Sequence, residues 1–159
     1  MDVQHLLDLE EIRQLKYRWS WALETSAPDD LADLFTEDGW IETGPWGRME
    51  GRDAIRRGYG RAYRHAPPFR NMHCVTNPRI TIDGDDAAGT WYLLDCDTSG
   101  DVEGPALRIL AVYDETYRRV GGAWRMASVT LDYKWAAHVG HVGPDNPMTI
   151  PPHQRRARS

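Results

Sequence analysis

Apolar residues recur every three or four positions up to about residue 65 and every two positions from about residue 70. That single change of period dictates helices first and strands afterwards. Leu6, Leu7, Leu9, Ile12, Leu15, Trp19 and Ala22 or Leu23 predict one amphipathic helix from Val3 to about Glu24. Pro28 cannot continue it, and Asp29 or Ser26 offers a cap for a short second helix in "DDLADLF". "DGWIET" then reads as a short strand, "GPWGRMEG" as a turn or hairpin, and Ile55, Tyr59 and Ala62 or Tyr63 set a third helix over 52–65. Beyond it, 70–82 and 87–97 read as strands joined at "DGDD", and 106–119 and 123–135 as a second pair joined at "VGG". On the first strand His73, Val75 and Asn77 share one face and Met72, Cys74, Ile80 and Ile82 the other, with the parity open across Pro78.

Helices followed by a meander of strands define an α+β fold, with three N-terminal helices on one face of a curved antiparallel sheet and a pocket between the layers. A chain of 159 residues supports one core. Residues 1–137 are read as a single domain and 138–159, rich in Pro and Gly, as an irregular tail. The formal net charge of −5 argues against a nucleic-acid binder, and no apolar run reaches the ~18 residues of a membrane span. The N-terminus is acidic and amphipathic where a secretory signal would be basic and then apolar, so a cytoplasmic protein is expected. Cys74 and Cys96 read as buried free thiols.

Seven tryptophans and seven tyrosines point either to a bulky core or to a pocket for a flat apolar ligand. Trp19, Trp40, Tyr59, Trp91, Tyr92, Tyr133 and Trp135 are the candidate lining residues, with His138 from the tail. His138 and His141 are three residues apart, but the glycines around them argue against the helix a metal site would need there, and no metal or cofactor is expected. The residue that stands out is His73, an imidazole in an otherwise apolar strand.

The order of elements and the strings "EIRQLKYRWSWALE", "DDLADLFTEDG", "GRDAI", "HCVTNPRITIDGDDAAGTWYLLD" and "YDETYRRVGGAWRM" resemble the SnoaL-like and scytalone dehydratase-like branch of the nuclear transport factor 2-like superfamily. That branch includes bile acid 7α-dehydratase and polyketide cyclase-like proteins. The resemblance implies a cone-shaped, cystatin-like α+β barrel, a homodimer or higher oligomer, and a His–Asp dyad joining the end of the first helix to the strand after the third. His73 matches the histidine, Glu24 stands where the aspartate would be, and Trp19 replaces a tyrosine that would donate a proton, a role left to Tyr113, Tyr92 or Tyr17, with Tyr113 foremost.

An imidazole held by a carboxylate can take a proton at neutral pH, and donors opposite it stabilise an enolate or a departing hydroxide. The expected function is therefore a cofactor-independent lyase or isomerase, dehydratase-like, on a hydrophobic cyclic substrate of steroid, polyketide or terpenoid kind. His73 is its base, Glu24 the orienter and Tyr113 the donor. The alternatives are a small-molecule-binding module without chemistry, and a polyketide cyclase or epoxide hydrolase that would need Asp95 paired with Arg108 inside the cone.

Overall fold

Ile12, Leu15, Trp19 and Leu23 fall on one stripe of helix α1, Val3–Glu24, and all four are buried against the sheet. The computed structural model describes residues 3–44, 47–65, 71–97 and 106–139. Ser26 closes α1, adopting a left-handed φ of 55° while the Ala27 N–H reaches Ala22 O at 2.9 Å and the Ser26 N–H reaches Leu23 O at 3.2 Å. Ser26 thus ends the first helix and caps no second one. Helix α2, Pro28–Ala32, starts instead from Ala27 without a side-chain cap, using Pro28 in its first turn. It is shorter than the sequence suggested, because Phe35 already belongs to strand β1, Phe35–Glu42.

Strand β2, Arg48–Glu50, folds back on β1, and helix α3, Arg52–His65, follows with the expected bounds. Strands β3, Asn71–Asp83, and β4, Asp86–Asp97, form one hairpin, while β5, Ala106–Val120, and β6, Ala123–Val139, form the other. The six strands run in the order β2-β1-β6-β5-β4-β3. The sheet is curved and unclosed, with β2 and β3 as its edge strands, in line with the expected cystatin-like α+β fold. It is also not wholly antiparallel: β1 lies parallel to β6. Strand β6 continues through Val139, past the expected domain end at residue 137, and residues 140–159 lie outside the described part.

The turn at 84–85 pairs Asp83 with Asp86, but the register shifts between Thr76 and Arg79, where Asn77 has a φ of 53°. This bulge at Asn77–Pro78 inverts the facing of everything before it. Ile80 and Ile82 therefore pack on the core side together with Val75 and His73, contrary to the alternation counted straight through Pro78. The outer face carries a lateral apolar row, Cys74, Leu94, Leu110 and Trp135, each the direct partner of the next. Cys74 is exposed and Cys96 half-buried, so the thiols are free but not core residues.

Candidate active site

His73 sits two residues from the start of β3 and is paired with Asp95, two residues from the end of β4. An edge strand leaves one row of backbone groups without a strand partner. At His73 helix α1 supplies the partners: Glu24 Oε1 accepts the His73 N–H at 3.1 Å, and the Ser20 hydroxyl donates to the His73 carbonyl. Ser20 and Glu24 are one helical turn apart and so grip a single residue from one face. Because both backbone groups of His73 turn to α1, the His73–Asp95 pair is of the narrow, non-hydrogen-bonded kind, in which side chains approach most closely.

The consequence is a line of three buried groups. His73 Nδ1 lies 3.6 Å from Asp95 Oδ1, and His73 Nε2 lies 2.9 Å from the Tyr113 hydroxyl. His73, Asp95 and Tyr113 are 5%, 7% and 2% exposed. Burial above all, with the nearby Tyr59, Glu115 and Asp95, pushes the Tyr113 phenol well above its usual range, so it keeps its proton at neutral pH. The protonated Tyr113 hydroxyl donates to Nε2 in the tautomer whose ring hydrogen sits on Nδ1, toward Asp95. Among the described residues neither His73 Nδ1 nor Asp95 Oδ1 has a hydrogen-bond partner at good distance, nor does the fully buried Trp19 Nε1. The Trp19 indole nevertheless lies near enough to Tyr113 to favour its phenolate, and the two rings meet edge-on with centroids 6.3 Å apart.

The expected site is thus corrected at its orienter. Glu24 holds the His73 backbone rather than its ring, and Asp95 is the carboxylate that faces the imidazole. Arg108 is exposed on the opposite face of the sheet, beside Cys96, so the Asp95–Arg108 pair needed by a cyclase or epoxide hydrolase is not formed. Tyr59 meets the Trp19 ring edge-on at 6.3 Å, and burial pushes its phenol strongly upward. Tyr133 reaches Thr43 O at 3.1 Å from the rim, with its phenol raised by burial and then by Asp95.

Four other lining candidates sit elsewhere. Trp91 is buried but bonds Tyr117 through its indole N–H at 2.8 Å, deeper in the core. Tyr92 and Trp135 are exposed on the outer face because strand parity turns them away from the helices. Trp40 alternates with buried Ile41 and stacks against the Arg48 guanidinium at 3.7 Å. The His138 backbone pairs with Leu107 in β6, while its side chain lies outside the described residues.

Helices packed on a curved, unclosed six-stranded sheet define the class of protein by its architecture, the cystatin-like fold. The chain belongs to the SnoaL-like domain family, whose model matches residues 4–130. Among solved structures it is similar to a candidate scytalone dehydratase from Novosphingobium aromaticivorans, at 24% identity over 95% of this chain and 99% of that one, with a TM-score of 0.78. It is similar also to a type 2 hexachlorocyclohexane dehydrochlorinase, LinA, at 18% identity over 91% of this chain and 99% of that one, TM-score 0.78. An NTF2-like protein with a cystatin-like fold from N. aromaticivorans matches at 22% identity over 83% and 85% of the two chains, TM-score 0.73. At these identities the likeness establishes the fold. No curated protein matches the sequence. No helix of the described residues is long and apolar enough to cross a membrane.

Proposed function

We propose that the protein is a lyase or isomerase needing no cofactor, acting on a small hydrophobic cyclic molecule through Asp95, His73 and Tyr113. The observation that carries this reading is the buried line of carboxylate, imidazole and phenol, at 3.6 Å and 2.9 Å. A substrate oxygen or leaving group competes with Nε2 for the Tyr113 proton. Once the phenol turns to it, the Nε2 lone pair is free to take a proton from carbon. The C–H electron pair becomes the new double bond, the leaving group departs with the phenol proton, and His73 returns the proton it took to the phenolate. The net change is loss of HX, or, without a leaving group, a shift of the double bond through an enol. Asp95 stabilises the imidazolium between the two transfers. Trp19, Tyr59 and Tyr133 are aromatic neighbours of this line, which supports an apolar ring as the ligand. The dehydratase and dehydrochlorinase named among the similar folds perform eliminations by name, which agrees with this chemistry.

The test is proton exchange in deuterated water from a cyclic ketone, followed by mass spectrometry. Wild type exchanges the α-proton, whereas His73→Ala and Tyr113→Phe do not, with thermal midpoints close to wild type. Undiminished exchange in His73→Ala excludes the histidine as base. The near-complete burial of His73 favours a second reading, a carrier that binds such a molecule without transforming it. Saturable binding with no exchange in any variant would select the carrier.

A further inference from the structure

One buried ion pair takes no part in the proton transfers described above. Lys16 on α1 and Glu115 on β5 are joined directly, with side chains wholly buried. Glu115 also accepts from the Tyr117 hydroxyl, which in turn accepts the Trp91 indole N–H at 2.8 Å, so both carboxylate oxygens are satisfied. The ammonium's other side faces aromatic rings, with Nζ 3.5 Å from the centroid of Tyr113 and 5.1 Å from that of Trp19.

Such a pair is a poor device for stability. Desolvating two charges costs more than their attraction commonly returns, and apolar replacements of similar volume are often neutral or better. Its position offers another account. Glu115 lies two residues from Tyr113 on the same face of the same strand, which sets the ammonium under the ring whose hydroxyl meets His73. A cation against a phenol ring stabilises the electron-rich form, and most strongly where both are desolvated. The other groups around Tyr113 are Trp19 from α1, Tyr59 from α3, His73 from β3, Asp95 from β4 and Glu115 from its own strand, and Tyr59, Asp95 and Glu115 oppose the phenolate. Lys16, whose Nζ meets the Tyr113 ring, carries the opposite sign when protonated; burial lowers its own pKa, and the charge of Glu115 and its bond to Lys16 work against that.

We propose that Lys16 is a positioning residue for Tyr113: its ammonium, clamped by Glu115 against the ring, strengthens the phenol as the proton donor to His73. The inference rests on Tyr113 serving as the donor in the proposed function, but its test needs no turnover. The neutral pair Lys16→Met/Glu115→Gln removes the cation without leaving a buried charge, and the glutamine still accepts from Tyr117.

The readout is the 15N resonance of His73 Nε2 at fixed pH, which reports the strength of the hydrogen bond it accepts. In the neutral pair it moves toward its position in Tyr113→Phe, and in a Tyr113→Phe background the same pair of changes has no further effect. A folded neutral pair with an unmoved Nε2 resonance overturns the proposal, as does an equal displacement in both backgrounds, which would mark a purely structural role. Should the neutral pair not fold, Lys16→Gln/Glu115→Gln, whose two amides can bond each other, carries the same test without a buried charge. On any substrate the protein turns over, kcat falls about tenfold in the neutral pair with KM little changed, the size of one desolvated cation–π contact. An Nε2 displacement without any turnover in wild type would uphold the Lys16–Tyr113 coupling while rejecting the lyase reading.

Discussion

His73 and Asp95 face one another across the narrow pair that joins β3 to β4, imidazole Nδ1 to carboxylate Oδ1 at 3.6 Å, and neither atom has a hydrogen-bond partner among the described residues. The pair is positioned by main-chain contacts as much as by its own attraction: α1 holds the His73 peptide from outside while β4 brings Asp95 from inside. Replacing Asp95 by Asn keeps the shape and removes the charge that stabilises an imidazolium. Exchange or turnover in Asp95→Asn falls by about 10²–10⁴-fold, as for other histidine bases deprived of their carboxylate. Its thermal midpoint equals or exceeds that of wild type, because a buried, poorly bonded carboxylate has been removed. Steady-state rates and calorimetry on the same preparation check both parts.

Glu24 behaves as a structural acceptor. Glu24→Ala leaves the His73 amide without a partner and costs about 1–2 kcal/mol in denaturant unfolding. Glu24→Gln, whose amide oxygen still accepts, recovers most of that loss and keeps activity. A charge-dependent catalytic role for Glu24 would instead show as a large rate loss in Glu24→Gln at unchanged stability.

The buried phenols set an alkaline limit. Tyr59, Tyr113 and Tyr117 all hold their protons more tightly than a free tyrosine, chiefly through burial. Their contribution is complete below the unfolded tyrosine value near 10 and is lost as pH rises above it, where the unfolded chain ionises first. Titration at 295 nm should show these three ionising together with loss of near-ultraviolet circular dichroism.

At the other end of α1, Asp8 is held below the usual carboxylate range, first by its bond to Arg119, against the opposing effect of burial. The two meet at 2.7 Å, and the Trp124 indole N–H lies 3.3 Å from the same carboxylate. A depressed folded value means stability present above about pH 4 and lost as pH falls through the lower folded value. Thermal midpoints of wild type should therefore drop more steeply below pH 4 than those of Asp8→Asn, which starts lower at neutral pH.

Asn77 tests the bulge. Its φ of 53° is open to Gly and Asn but strained for a β-branched side chain. Asn77→Gly is close to neutral, whereas Asn77→Val costs about 1–2 kcal/mol in chemical denaturation. If the bulge relaxes instead, the pairing of His73 shifts and activity is lost with it.

Much of the fold is written in local pattern. The stripe from Ile12 to Leu23, the third helix over 52–65 and the two hairpins follow from side-chain period and turn chemistry, which act over a few residues and need no knowledge of the rest. His73 is conspicuous for the same reason, as a polar residue in an apolar strand. Its partners were decided otherwise. Counted straight back from Asp83–Asp86, His73 would stand opposite Cys96; the extra residue at Asn77–Pro78 shifts the pairing by one and puts Asp95 there. One residue of register decides whether the imidazole stands opposite Asp95 or Cys96, and that register is fixed by how the sheet buries its inner side under α1. Glu24, distant from His73 in sequence, was brought beside it only by the family resemblance, and the packed edge of β3 shows that it grips the main chain and leaves the ring to Asp95.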